Sequence, residues 1–259
     1  MSERLPPRQV LLLGLGGIAT FFALWALAAA SGLTPEAFLP SPLKVWNEFW
    51  RLTREPFVGY TLQQHLVSSF ARMGTGFGLA VLIGVPLGLA LGWFRRLDYI
   101  VSPLFDALRF VAPIAWVPFA ALWFGTGIGG PVLVIFTGAF PPCVINTYRG
   151  ARYVEPQFIE AARTLGVGHR RMILEVLLPA SVPSIVAGLR VSAGLAWQSL
   201  VGAELIVASS GIGYLLVKGQ ASISTPIVMS GMIAIGLVGF AIDTALQAFE
   251  GWIRRRRGR

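Results

Sequence analysis

Residues 155–184 read EPQFIEAARTLGVGHRRMILEVLLPASVPS, a polar stretch between two long apolar runs. A connection of this length in so short a chain needs a purpose of its own. Pro156 suits the first position of a helix running through Leu165. Gly166 suits its stop, because glycine takes the left-handed conformation that ends helices. A second helix is expected from about Gly168 to Leu178, with Pro179 and Pro183 punctuating the return into the next apolar run. Arg163, His169, Arg170 and Arg171 keep this helix–turn–helix out of lipid, while Ala161, Ala162, Leu165 and Ile173 give it something to bury. The residues alone leave two readings open: a projection that enters a partner's groove, or a cap packed on its own chain.

Working outward, the chain has 259 residues, 55% hydrophobic and only 13% charged. Soluble domains carry about 25% charged residues, so lipid is the expected solvent. The fold class is all-α, a single membrane domain of six spans at about 10–30, 66–94, 100–125, 129–148, 184–207 and 225–252. Val10 to Ala30 carries no charge. At about 1.5 Å per residue it crosses a hydrocarbon core of roughly 30 Å, so it reads as a retained first helix rather than a signal peptide. Pro113 and Pro118 predict that the third span is kinked or broken. Gly76, Ala80, Gly84, Gly88 and Gly92 form a stripe that lets another helix approach the second span closely. Ser41 and Pro42 mark the start of a short helix, with Leu43, Trp46, Phe49 and Trp50 on one face. That helix suits the membrane interface or the docking of an external partner.

The net charge of +9 is distributed as membrane topology requires. With both termini inside, the inner pieces hold Arg4, Arg8, Arg95, Arg96, Arg149, Arg152, Arg163, Arg170, Arg171, Arg254, Arg255, Arg256, Arg257 and Arg259. The outer pieces hold only Lys44, Arg51, Arg54 and Lys218. The bias puts the 149–183 loop in the cytoplasm. Arg254–Arg257 reads as an anchor closing the last helix. No groove-reading motif accompanies the basic residues, which argues against nucleic acid. Arg72, Arg109 and Arg190 lie at membrane depth with Asp106, Glu204 and Asp243. Such residues face a bundle interior or a wet cavity. Arg72 and Glu204 fall at similar depth, so an ion pair between them is the default. Arg109 precedes the proline break, where it suits transient attraction of an oxyanion. Trp116 and Trp197 read either as apolar constrictions or as helix packing. Cys143, the only cysteine, excludes an intrachain disulfide. There is no phosphate-binding G-x-x-x-x-G-K-[ST] loop, no hydrolase motif and no metal-ligand cluster. No residue of the chain is therefore expected to be catalytic or to hold a metal or cofactor.

Glu160-Ala161-Ala162, then Gly166, then Leu178-Pro179 resembles the EAA loop of binding-protein-dependent ABC importer permeases. From about His65 to Asp243 the chain is similar to the sulfonate, nitrate and taurine branch of that family, and within it to taurine permeases. The segments that carry this are HLVSSFARMGTGFGLAVLIGVPLGLALG, PIAWVPFAALWFGTGIG, GLRVSAGLAWQSLVGAELI and SSGIGYLL. Val111-Ala112 departs from relatives that place another proline close by. The resemblance implies the type I (MetI-like) importer permease fold in a bacterial inner membrane. It implies a homodimer, two ATPase subunits that use ATP and Mg, and an extracytoplasmic binding protein. The helix containing Glu160 and Ala162 then becomes the coupling helix, with Ala162 facing a tight groove of the ATPase. The implied solute is a small anion: taurine or another sulfonate, or nitrate. Permeases for a cofactor precursor (a thiamine-type pyrimidine or a flavin) share this loop. A stand-alone secondary transporter or channel would lack an ATPase partner, and a membrane scaffold would need no charges at depth.

The arginine bias makes a topology prediction. Single cysteines at Ser31 and Ser209 should react with a membrane-impermeant maleimide from outside, and one at Gly168 should not. External labelling at Gly168 would reverse the orientation.

Overall fold

A computed structural model describes residues 6–32, 35–125 and 127–256; Arg4, Arg257 and Arg259 lie outside them. The described chain is helical: α1 (Pro7–Ala30), α2 (Pro42–Arg54), α3 (Leu62–Trp93), α4 (Arg95–Leu108), a 3-10 turn (Pro113–Trp116), α5 (Val117–Phe124), α6 (Gly129–Arg152), α7 (Pro156–Thr164), α8 (His169–Arg171), a π-helical segment (Met172–Leu177), α9 (Leu178–Val207), α10 (Ile212–Ala221) and α11 (Thr225–Arg256). Five helices are long and apolar enough to cross a bilayer. The bent pair Arg95–Leu108 and Pro113–Phe124 supplies a sixth. The chain, expected as one domain, divides into two compact units: residues 1–62 with 215–233, and residues 63–214 with 234–259.

In the first unit, Ser41 caps α2 by accepting from the Lys44 N–H at 3.4 Å, and Pro42 opens the helix. Two apolar faces of α2 point different ways. Val45 and Leu52 are buried, whereas Leu43, Trp46 and Trp50 are exposed around a cluster with Phe49. Ser230 Oγ donates to the Val45 carbonyl at 3.0 Å, and Trp25 Nε1 donates to the Pro40 carbonyl at 3.0 Å.

In the second unit the small-residue stripe finds its partner in α6. A Cβ placed on Gly76 would lie 2.7 Å from the Ile135 Cβ, one on Gly84 3.1 Å from Cys143 Sγ, and one on Gly88 2.6 Å from the Thr147 Cβ. Each pair is offset by the same 59 residues, so α3 and α6 run parallel in one register. Consecutive parallel helices require the chain between them to return the length of the pair. The α6 helix alone is about 36 Å long at 1.5 Å per residue, so α4 and α5 together make the return crossing. The α9 helix runs antiparallel to α6: Gly150 meets Ser184, Gly188 meets Asn146, and Gly130 meets Val207. The α11 helix is antiparallel to α9. Trp197 Nε1 donates to the Ile235 carbonyl at 3.1 Å, and Arg190 Nε bonds Asp243 Oδ1 at 2.8 Å. The core between these helices holds Met73, Ala80, Ile135, Ala139, Ala196 and Leu200.

Three expectations change. The break in the third span falls at 109–112, before Pro113, and turns the chain by 87°. Pro118 does not break anything, because it sits in the first turn of α5 where no intrahelical N–H bond is required. The helix after Gly168 does not stop at Leu178: residues 169–207 form one unbroken helix. Pro179 falls at the start of α9 and Pro183 is carried inside it, just after the π segment. A π turn loosens the hydrogen-bond ladder, which eases the accommodation of prolines that follow it.

The close α3–α6 approach is testable. Gly88→Ala should lower the thermal stability of the purified protein by about 1–3 kcal/mol through overpacking. Gly78→Ala, on the same helix with nothing within 4 Å of its Cβ, should be neutral or stabilise by up to about 1 kcal/mol. Equal effects would place the contact elsewhere.

Candidate coupling loop and solute pathway

The second unit has two distinct ends. At one, here the loop end, lie the C-termini of α3, α6 and α11, the start of α4 and the whole α7–α8 segment, as the helix pairings dictate. Arg95, Arg96, Arg149, Arg152, Arg163, Arg170, Arg171 and Arg254–Arg256 all belong to that end. The other end holds the start of α3 and the end of α9.

At the loop end, Pro156 opens α7 and Gly166 closes it with φ +73°. The Gly166 N–H donates to the Arg163 carbonyl at 2.9 Å and the Val167 N–H to the Ala162 carbonyl at 3.1 Å. These two bonds form a Schellman cap, which needs a left-handed residue at the glycine position. Glu160 and Ala161 are exposed on α7. Ala162 is only 7% exposed and turned into its own chain, and Leu165 is 81% exposed. This corrects one expectation: Ala161 and Leu165 are exposed rather than buried. Phe158 and Leu165 are the apolar side chains that α7 and its corner turn outward. Phe158 and Leu165, with Ala161 and Ala162, line an open cavity of about 770 Å³ that also takes in Tyr153 and Val176. Leu178 and Pro179 are half-buried where α9 begins.

Two cavities meet at the corner of the broken span. Asp98, Ser102, Asp106, Tyr148 and Arg149 line a polar one of about 250 Å³. Trp116, Phe136, Phe140 and Leu133 line an apolar one of about 240 Å³ beyond the corner. Arg109 and Phe105 line both. Arg109 Nε pairs with Asp106 at 2.9 Å, and its guanidinium stacks over Phe110. Arg109 and Trp116 are thus brought together. Trp197 is not with them: it is 5% exposed, packed between α9 and α11 with Phe70 against its ring.

Arg72 and Glu204 pair at the far end, 2.8 Å apart and 6% and 1% exposed. The Glu204 carboxylate also accepts from Ser69 Oγ at 2.9 Å and from the Gly213 N–H at 3.0 Å. Arg72 donates to the carbonyl and hydroxyl of Ser210 at 2.7 and 2.8 Å. Ser69 in turn accepts from the Ile212 N–H at 3.0 Å, and His65 Nδ1 accepts from the Gly211 N–H at 3.1 Å. The network ties α3, α9 and the 208–213 turn together. Sequence reasoning found the ion pair but missed Ser69, Ser210 and His65, and it missed Asp98 and Tyr148 in the polar cavity. The contacts that place them span up to 146 positions, as between His65 and Gly211, where no periodicity links them.

The fold and these cavities define a multi-span helical permease. The family of binding-protein-dependent transport system inner membrane components matches residues 80–259. The chain belongs to it, as an ABC importer permease of the sulfonate, nitrate and taurine type. It is 31% identical over 251 residues to the taurine transport system permease protein TauC of Escherichia coli, covering 96% of this chain and 91% of that one. It is 33% identical over 255 residues to the bicarbonate transport system permease protein CmpB of Synechococcus elongatus, covering 95% and 90%. The fold is shared with a chain of the MetNI methionine ABC transporter, with a TM-score of 0.60, 20% identity, and coverage of 72% of this chain and 95% of that chain.

The buried pair predicts an asymmetry. Glu204→Ala should cost about 3–5 kcal/mol, because Arg72 is left buried and uncompensated. Glu204→Ala combined with Arg72→Met should recover much of that loss. Thermal unfolding of the two purified variants measures it; a double variant no better than the single one would deny the pair its role.

Proposed function

We propose that two copies of this chain form the membrane pathway of an ATP-driven importer for a small anion, powered by two ATPase subunits that bind the loop end. The observation that carries this reading is the Schellman-capped α7 helix, which projects Phe158 and Leu165 from a chain with no nucleotide-binding motif of its own. Exposed apolar side chains on a rigid, charged helix corner suit insertion into a protein groove. ATP and Mg would act in the partner. An extracytoplasmic binding protein would deliver the solute at the far end, and the arginines of the loop end would face the cytoplasm. The names of the relatives favour taurine-like sulfonates or bicarbonate as solutes, and Arg109 between the two cavities is suited to a passing oxyanion. The α7 motion would reach the bundle directly, because residues 169–207 are one helix linking the loop to Glu204.

Leu165→Glu and Phe158→Glu change exposed side chains, so insertion and folding should survive. Each should weaken ATPase attachment by about 2 kcal/mol, roughly thirtyfold, as expected for a desolvated anchor. Gly166→Val, at a backbone angle hostile to a branched side chain, should uncouple ATP hydrolysis from uptake. Copurification, hydrolysis and vesicle uptake test these together; normal values in all three variants would exclude this segment as the coupling element.

A further inference from the structure

The α2 helix has two apolar faces, and the chain covers only one of them. Val45 and Leu52 are buried, whereas Leu43, Trp46 and Trp50 are exposed. Trp46 stacks on Phe49 with 6.2 Å between ring centroids, and both meet Trp50 edge-on at 5.8 and 6.1 Å. The indole N–H groups of Trp46 and Trp50 have no hydrogen-bond partner among the described residues. At about 3.6 residues per turn, Lys44, Glu48, Arg51 and Glu55 fall on the edge opposite this aromatic face. The charges of that edge pair with one another or nearby: Arg51 donates to Glu48 at 2.9 Å and to Glu55 at 3.2 Å, and Lys44 pairs with Glu36.

Three contacts set the depth at which α2 begins. The charge-free run from Val10 to Ala30 is about 31 Å long, which matches a hydrocarbon core, so Ala30 marks one face of that core. The Pro40 carbonyl accepts from Trp25 Nε1 at 3.0 Å. Trp25 precedes Ala30 by five residues, about 7.5 Å inside the face. The Val45 carbonyl accepts from Ser230 Oγ at 3.0 Å, again five residues, or about 7.5 Å, in from the start of α11 at Thr225. Thr225 Oγ1 itself donates to the Ala37 carbonyl. The chain from Ala37 to Val45 therefore descends below the ends of both long helices. Interfacial helices bury their apolar face about 5–10 Å into the boundary between headgroups and acyl chains.

We infer that α2 is an interfacial anchor whose aromatic face is occupied by lipid, in the leaflet at the Ala30 end of α1. Trp46, Phe49 and Trp50 lie among the glycerol backbones and upper acyl chains, and the two indole N–H groups donate to lipid ester carbonyls. Arg54 is exposed beside this face and has no carboxylate partner among the described residues. Its long side chain carries the guanidinium out to a lipid phosphate. A soluble protein would have to reach the aromatic face through the headgroups, and it would find the charges of the opposite edge already paired. The anchor ties both α1 and the start of α11 to the membrane plane.

The test uses the full-length permease in phosphatidylcholine–phosphatidylglycerol vesicles, with a nitroxide attached in turn to Trp46→Cys, Trp50→Cys, Lys44→Cys and Arg51→Cys. The native Cys143 is buried, and the unaltered protein supplies its background. Collisions with oxygen, which partitions into lipid, and with a water-soluble nickel chelate report what covers each position. Labels at 46 and 50 should keep oxygen access and lose nickel access, and labels at 44 and 51 should show the reverse. Nickel access at 46 and 50 would mean a face open to a soluble partner. Shielding from both reagents would mean a protein cover such as a second copy. Either result overturns the proposal. A second measurement keeps tryptophan on the face: the emission that the unaltered protein has and the Trp46→Phe, Trp50→Phe double variant lacks should be quenched in vesicles of lipid brominated near the headgroup end of its chains. If that difference emission is untouched by bromine, the aromatic face is not in lipid.

Discussion

Two helices in a bilayer gain little by hiding leucine from lipid, so what holds them is close contact between surfaces that fit. The approach of α3 to α6 is the contact on which the rest of the second unit depends. Gly76, Gly84, Gly88 and Gly92 leave room for Ile135, Cys143, Thr147 and Ala151, one turn after another. The constant register makes the two helices parallel. That single fact forces the chain between them to cross back, sets α9 and α11 in alternating directions, and gathers the cationic termini with α7 at one end.

Charges supply the second constraint. Glu204 is tolerated in the bundle because Arg72, Ser69 and the Gly213 amide satisfy it from two segments. Such a network is costly when any member is removed, so it defines which helices and turn must lie together. Arg190 plays a similar part between α9 and α11, held by Asp243 and reaching Glu250 at 3.7 Å. The polar cavity differs from both. Asp98, in the first turn of α4, accepts from the Ser102 and Tyr148 hydroxyls, while Arg149 is exposed in the last turn of α6.

The corner at 109–112 shows how a sequence signal can be right in kind and displaced in position. Pro113 and Pro118 announce a disruption, yet each sits near the start of a helical segment, where a missing N–H costs nothing. The disruption falls before them, and Arg109 is placed at it between a polar and an apolar cavity. The Leu178–Pro179 segment shows the opposite case. It reads as the end of a helix and is instead carried within one, after a π turn.

The sequence by itself determined the solvent, the approximate spans, the lopsided distribution of arginine and the helix–glycine corner at Gly166. These follow from local chemistry: run length against bilayer thickness, charge against lipid, and the backbone freedom of glycine at φ +73°. It also carried the small-residue stripe without naming the neighbour. Only the tertiary structure decided that the neighbour is α6, that Ala162 is buried while Phe158 and Leu165 are exposed, and that Asp98 and Tyr148 line one cavity. Each of these depends on which faces of distant helices meet, and helical periodicity reports that a face exists but carries no record of what lies across from it.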